Sequence, residues 1–577
     1  MSKHPITTVV LSSLDRVFPE SCPKPQAEQS FSAFKNEPFS FQCAYKFDNT
    51  DEKNMPFYIT VESELPISVY SVGYVPVLHT DASNFSEKYR PGLFPDMLLS
   101  KKTNPKVSEK RNPWNRFNFE NGEKVQLYAF NDIWQSLWFT VNENSKNLYA
   151  GKYSITIRFF SRKGGVEVGE FSLFLELIDM KLPKQKLFCT NWFYCDCLAD
   201  TYGVKLFSDR FFEIFYDFVS ASAKNGMNMI LLPAFTPALD TAEGYERMTV
   251  QLVKVSRENG VYSFDFSLMK KYIDICKKAG IKYFEHSHIF TQWGAKAAPK
   301  IMVNENGKEK QFFGWQTSAC GKKYKDFLNA YLPALKDFLK TEKLEDKIIF
   351  HISDEPEEKT ADGYRKAKKA VGNLLDGFIV TDALSHYNFY EDGTVETPIV
   401  STHAIDDFIG KCDNLWCYYT GEQATNKLSN RLIINSSERN RMLGIQMYYN
   451  GIKGFLHWGY NYYYDVLSHG LFDPKTNPCG YNGLAGTSYL VYPASDGTAI
   501  QSVRQKVFFE GINDMRALEA VESLRGRDFT EKLIEKHFGA VTFKTEAESP
   551  EHLIKFRQEL NSIVSTEMIK KQKADLK

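Results

Sequence analysis

The sequence predicts a multidomain protein: an N-terminal antiparallel β-sandwich (residues 1–182), a (β/α)8 TIM-type barrel (187–500) and a C-terminal helical segment packed on the barrel (501–577). Three observations carry that reading. Short β-type runs fill the first third, about eight apolar strand candidates then alternate with amphipathic helices, and helical periodicity takes over beyond Ser502.

In the front segment the runs are Phe39 to Phe47, Pro56 to Ser63, Ile67 to Val77, Lys124 to Ala129, Gln135 to Val141, Lys152 to Phe160 and Glu167 to Ile178. Polar, Gly and Pro punctuation separates them, and a long turn is expected from Asp81 to Arg116. Lys181 to Lys186 forms a polar linker, after which the rhythm changes. Ser208 caps a helix whose Phe211, Phe212, Phe215, Tyr216 and Val219 form one apolar stripe, stopped by Asn225-Gly226. A second helix begins at Ser267 and ends at Gly280, and a third runs from Tyr324 to Leu339. The strand candidates are Leu187–Cys195, Met229–Phe235, Ile281–His288, Ile348–Asp354, Phe378–Asp382, Ile399–His403, Leu415–Tyr419 and Phe455–Tyr460. Eight such strands close a barrel. The helices between Leu384 and Pro398 read as short or irregular. An open doubly wound sheet is disfavoured because no Gly-rich phosphate loop follows the first strand. The tail reads as helices over Gln505–Leu524, Thr530–His537 and Pro550–Met568.

Composition narrows the function classes. Lysine plus arginine and aspartate plus glutamate both total 71 over 577 residues, so no global field draws nucleic acid or an acidic membrane surface. No apolar run is long enough to insert in a membrane, and the first residues lack a basic region followed by an apolar core. The expectation is a cytoplasmic protein with reduced thiols, because its ten cysteines form neither a dense disulfide framework nor a paired zinc pattern. Aromatics reach 15 %, a surplus that fills large cores and also suits the stacking faces of sugar rings.

Barrels build their sites at the C-terminal ends of strands. There the sequence places Asp196, then Glu285, His286 and His288, then Ser353, Asp354 and Glu355, then Asp382 and His403. Strands seven and eight finish in Trp416, Tyr418 and Tyr419, and in Trp458, Tyr460 and Asn461. Asp354-Glu355 is the sharpest element. Two carboxylates at one strand mouth repel each other, which raises the pKa of one and suits it to general acid work. The same Ser-Asp-Glu-Pro-Glu-Glu run also reads as an acidic helix start that only answers the dipole. Trp416 and Tyr418 are two apart on one strand face, as are Trp458 and Tyr460, and large rings near strand ends wall a pocket. His286, Asp382 and Asn461 are candidates for contacts to sugar hydroxyls.

Four motifs in order, His351-Ile-Ser-Asp354-Glu355-Pro, Gly454-Phe-Leu-His-Trp458-Gly-Tyr-Asn461, Ser502-Val-Arg504 and Glu510-Gly-Ile-Asn-Asp514, resemble the catalytic domain of glycoside hydrolase family 123. Pro91-Gly-Leu-Phe-Pro-Asp96, Trp138-Phe-Thr-Val and Ala150-Gly-Lys-Tyr153 are similar to that family's N-terminal β-sandwich. The resemblance implies a retaining β-N-acetylgalactosaminidase that uses no cofactor or metal and acts on an oligosaccharide or glycoconjugate bearing β-linked N-acetylgalactosamine. It also implies substrate-assisted catalysis, with Glu355 as general acid and base and Asp354 holding the 2-acetamido group. Trp416, Tyr418, Tyr419, Trp458, Tyr460, Asn461, His286 and Asp382 would bind the substrate. Three other readings stand beside it. One is a metal-dependent hydrolase using His286, His288, His351, Asp382 and His403. Another is an ordinary retaining glycosidase with Glu285 as nucleophile. The last is a carbohydrate-binding protein without turnover.

Overall fold

The computed structural model describes residues 5–25, 30–48, 53–78, 91–100, 125–424 and 428–575. The chain builds a β-rich N-terminal region, a closed barrel of eight parallel strands and a helical C-terminal region.

Two sheets face each other in the N-terminal region. One is led by strands Ile6–Ser12, Phe39–Phe47, Gln135–Val141, Ile67–Val77 and Gly92–Leu99. The other orders Ser30–Phe34, Glu167–Ile178, Gly151–Ser161, Asn54–Glu62 and Val125–Phe130. Alternation is the reason they pack. Ile155, Ile157 and Phe159 recur at every second position of one strand and are all buried, as are Phe41, Cys43 and Tyr45 of another. Phe41 and Phe139 are directly paired across the strands, with rings stacked at 4.9 Å. Pairing is antiparallel except where Phe174–Ile178 runs parallel to Ser30–Phe34. One sequence expectation fails here. The long turn expected from Asp81 to Arg116 contains the strand Gly92–Leu99, whose alternation is hidden by Pro91 and Pro95, and the flanking residues 81–90 and 101–116 lie outside the described ones.

The barrel strands are Phe188–Asn191, Met229–Leu232, Tyr283–His286, Ile348–Phe350, Ile379–Leu384, Thr397–Ser401, Trp416–Tyr418 and Gly454–His457, in that order around the ring. The eighth pairs with the first through Phe188↔Gly454 to Asn191↔His457. Amphipathic helices Asp209–Lys224, Ser267–Ala279 and Lys322–Thr341 cover the strands they precede or follow, and Ser208 caps the first by accepting from the Phe211 amide. The helical ring is incomplete. Between strands five and six stands only the one-turn helix Asn388–Glu391, and between six and seven only the short turn Ile405–Asp407.

A four-stranded sheet of two hairpins, Lys254–Glu258 with Val261–Asp265 and Ile301–Glu305 with Lys308–Phe313, escaped the sequence reading. Its signal was present. Asn259-Gly260 and Asn306-Gly307 both adopt left-handed backbone, the two-residue hairpin turn that Asn-Gly favours.

The N-terminal region and barrel are joined by hydrogen-bonded backbone. Ala499–Ser502, after the last barrel strand, pairs antiparallel with Gly92–Leu99 through Gln501↔Leu98 and Ser502↔Met97. The C-terminal helices are Val503–Arg525, Arg527–Phe538 and Pro550–Asp575. The last of these also lies on the sandwich, where Asn561 donates to the Ser32 carbonyl at 2.8 Å and Arg557 to the Glu37 carboxylate at 2.6 Å. No helix among the described residues is long and apolar enough to cross a membrane.

Candidate active site

The C-terminal mouth of the barrel opens into a cleft of about 220 Å3 whose lining includes Trp192, Asp354, Glu355, Tyr418, Trp458 and Tyr481. Its chemistry starts at strand four, which ends at Phe350 and leaves His351 to Pro356 as an irregular crossing of the barrel mouth. Asp382, on strand five, holds that crossing from below. Its Oδ2 accepts from the amides of Ile352 at 3.2 Å and Ser353 at 3.4 Å and from the Tyr364 hydroxyl. Asp354 and Glu355 emerge from it into the cleft, and Glu355 has the left-handed φ of 43°, a conformation that costs a non-glycine residue about 1–3 kcal/mol.

The two acids sit in different surroundings. Burial pushes the Asp354 carboxyl well above the ordinary carboxylate range, with the charges of Glu355 and Asp382 adding to the effect and His351 opposing it. Burial also raises Glu355, against a hydrogen bond of 2.6 Å from the Tyr418 hydroxyl to Oε1 that favours its ionised form. The site therefore retains a proton on this pair at pH values where free carboxylates have lost theirs.

Beneath the acids is a buried ionic network. His351 Nε2 lies 3.0 Å from Glu285 Oε2, and its Nδ1 lies 3.6 Å from Asp382 Oδ1. Burial works against a charged imidazole here, but the two carboxylates outweigh it and raise His351 to about 10. Burial pushes Asp382 up, partly offset by His351, Tyr364 and the Ser353 amide. Glu285 is fully buried and accepts also from the Thr190 hydroxyl and from Trp192 Nε1 at 3.0 Å. It thus fixes the Trp192 ring in the cleft while its own oxygens stay out of it, which removes Glu285 as a nucleophile facing substrate.

The residues singled out in the sequence separate into those at the cleft and those beneath it. Asp354, Glu355, Tyr418 and Trp458 line the cleft. Trp416 shares the inward face of strand seven with Tyr418 but lies a layer lower, stacked on Phe188 at 5.3 Å and pressed against Gly454, so it fills the barrel floor. Tyr419 alternates outward to pack on Phe455 and His457. Tyr460 does not share the face of Trp458, because strand eight ends at His457 and the chain turns at Gly459, whose Cα lies too close to the Ser488 backbone for any side chain. Its hydroxyl donates to the Phe218 carbonyl at 3.0 Å instead. Asn461 is buried and clamps the backbone of Tyr194, accepting from its amide at 2.9 Å and donating to its carbonyl at 3.0 Å. His286 points outward to the Tyr331 hydroxyl at 2.8 Å. Those five and Asp382 do not line the cleft.

The His-x-His pair is split by the end of strand three at His286. His288 turns back to lie at 4.6 Å from His351, ring centroid to ring centroid, and with His351 and Asp382 it brings possible ligand atoms within 4.8 Å of one another. Imidazole nitrogens bind a metal in the plane of the ring. These two rings are stacked only 23° from parallel, so their in-plane lone pairs point along nearly parallel planes. Burial with the charge of His351 pushes His288 well below the ordinary imidazole range, so the group fits a neutral ring lying on a charged one better than a metal site. His403 stands apart, bonded to Ser401 and Gln423.

Residues on the loops complete the cleft: Trp192, Tyr194, Asp240, Gln292, Trp293, Gln423 and Tyr481 among them. Asp240 accepts from Tyr462 and Tyr481 at 2.5 and 3.0 Å, and Tyr481 packs on Trp458 at 4.9 Å between ring centroids.

Residues 192–521, more than half of the chain, match the family model for the glycoside hydrolase 123 catalytic domain. The chain belongs to glycoside hydrolase family 123. The family 123 glycoside hydrolase from Clostridium perfringens, whose structure was solved to describe glycolipid glycan hydrolysis, superposes with a TM-score of 0.69 at 12 % identity over 98 % of each chain. That likeness is one of fold. Bacteroides uniformis β-glucuronidase (TM-score 0.29, 10 % identity, 90 % of this chain and 50 % of that one) and a family 39 glycoside hydrolase from Bacteroides cellulosilyticus (0.31, 8 %, 86 % and 82 %) are far more distant. No curated protein matches. Membership in family 123 makes the chain a glycoside hydrolase, with glycans or glycoconjugates as its substrate class.

Proposed function

We propose that this family 123 enzyme is a retaining β-N-acetylgalactosaminidase that uses the substrate's own 2-acetamido group as nucleophile. The observation that carries the reading is the position of the carboxylates. Asp354 and Glu355 are adjacent and face one cleft, whereas Glu285 is sealed below and Asp240 is held by two tyrosines. An ordinary retaining pair acts from opposite faces of the sugar, about 5 Å apart, and neighbouring residues on one crossing do not supply that arrangement.

In the first step the acetamido oxygen bonds to the anomeric carbon as the glycosidic bond breaks, and Glu355 gives its proton to the departing oxygen. Asp354, which takes its charged form once the developing positive charge of the acetamido group is beside it, accepts the acetamido N–H and offsets the charge of the oxazolinium ion, against the burial that otherwise favours its neutral form. In the second step the Glu355 carboxylate takes a proton from water as that water opens the oxazolinium ring. Two inversions at carbon 1 leave the configuration retained. Trp192 and Trp458 supply flat apolar surfaces to the sugar, and Tyr418 sets the protonation of Glu355.

Hydrolysis of an aryl N-acetyl-β-galactosaminide, set beside its glucosamine epimer and a plain β-galactoside, tests this. Turnover of the first is expected, with slower turnover of the epimer and none of the galactoside. Equal turnover of the plain galactoside would remove the reason for a substrate nucleophile.

A further inference from the structure

We infer that the turn carrying Gln292 and Trp293 forms a leaving-group subsite, which takes the next sugar of the glycan beyond the bond that is cleaved. The inference rests on the glycosidase reading above and adds to it where the aglycone is held.

Two observations point there. The first is a buried donor without a partner. The Gln292 side chain lines the cleft and is 6 % exposed, and its Oε1 accepts the Asp240 amide at 2.7 Å. A backbone N–H only donates, so this bond fixes which end of the carboxamide is oxygen. The other end, Nε2, has no hydrogen-bond partner among the described residues. A buried NH2 group left unpaired is costly, and a sugar hydroxyl in the cleft would satisfy it.

The second is the neighbouring ring. Trp293 lines the same cleft yet is 47 % exposed, an unusual setting for so large an apolar side chain. Its backbone is left-handed at φ 57°, which is disfavoured for a bulky residue. The turn is braced nonetheless. The Trp293 amide donates to the Asp354 carbonyl at 3.3 Å, and Gly294 packs so closely on Thr360 that a Cβ would lie 3.0 Å from it. Glu355 delivers its proton to the oxygen joining the two sugars, so the ring beyond that oxygen lies beside the acid. The surface tied to the residue before that acid is Trp293, whose exposed face offers a platform for the sugar.

The test compares a disaccharide carrying β-linked N-acetylgalactosamine with the corresponding glycosyl azide, whose leaving group has no ring. The variants are Gln292→Ala and Trp293→Gly, glycine being the residue that keeps the left-handed turn. Binding contacts remote from the reacting atoms act on kcat/KM, so each variant is expected to lose about tenfold or more on the disaccharide and less than about twofold on the azide. Trp293→Tyr, which retains a flat ring, is expected to recover most of the loss. Equal losses on both substrates, or none on the disaccharide, would overturn the subsite while leaving the glycosidase reading intact. A wild-type enzyme that cleaves neither substrate would overturn both.

Discussion

The hydroxyl of Tyr418 reaches across the barrel mouth from strand seven to donate to Glu355 Oε1 at 2.6 Å, joining two residues 63 positions apart. That bond stabilises the charged form of the acid against the burial that disfavours it. Tyr418→Phe therefore raises the Glu355 pKa further, and the alkaline limb of the kcat/KM profile moves to higher pH. The variant also loses activity at the optimum, by less than the roughly 100-fold to 1,000-fold that a missing oxyanion donor costs, because Tyr418 acts through the acid. A pH–rate profile of both proteins checks the sign, and a limb that stays put or moves to lower pH contradicts it.

Much of this site was legible in the sequence, and its gaps have physical causes. Asp354-Glu355 follows an apolar run and precedes a proline, so its place at a strand mouth needs only local information. Tyr418 and Trp458 follow from the same logic. Trp416 shares the face of Tyr418 but stands lower, on Phe188, because period-two alternation gives side but not depth. Tyr460 leaves the face of Trp458 because strand eight ends at His457, three residues before it. Trp192 directly follows strand one, inside the candidate Leu187–Cys195, and the strand-end rule could have found it. Gln292 and Trp293 carry no periodic signal, since a loop brings them in and that loop is set by contacts such as Asp240 to Gln292, 52 residues apart. In the fold, the eight barrel strands could be read because parallel strands covered on both faces are continuously apolar, as in Ile348-Ile349-Phe350.

His351 gives stability a pH dependence of definite sign. Its pKa is raised from 6.5 to about 10 by Asp382 and Glu285, against burial. A group that binds its proton more tightly when folded stabilises the fold fully below its unfolded pKa, and the contribution fades as pH rises through the folded value. The Tm difference between wild type and His351→Phe is thus largest near pH 6 and shrinks toward pH 10. Thermal unfolding across that window measures it, and a constant difference would show that the imidazole is not charged.

Stacked rings at His288 and His351 argue against a catalytic metal. Prolonged dialysis against a chelator should leave kcat/KM within about twofold of the untreated enzyme, less than the loss from one absent site group. Activity that disappears and returns with a stoichiometric divalent ion would contradict the reading.

Asp96 and Arg504 tie the N-terminal sheet to the helix after the barrel through a buried ion pair at 2.9 Å, with the Tyr492 hydroxyl on the same carboxylate at 2.5 Å. Removing one partner of such a pair strands the other charge, so Arg504→Met should cost about 3–5 kcal/mol. The double variant Asp96→Leu with Arg504→Met should cost less than the two single changes together. Urea unfolding of the four proteins gives the coupling, and strict additivity would mean that the pair does not act as a unit.

Binding of the thiazoline analogue of N-acetylgalactosamine, which resembles the oxazolinium ion, tests the central claim most directly. Competitive inhibition far tighter than that by N-acetylgalactosamine itself is predicted, weakened by at least about 100-fold in Asp354→Asn, with the bound ring in contact with Asp354. An analogue that binds no more tightly than the free sugar, or equally well to the variant, would contradict it.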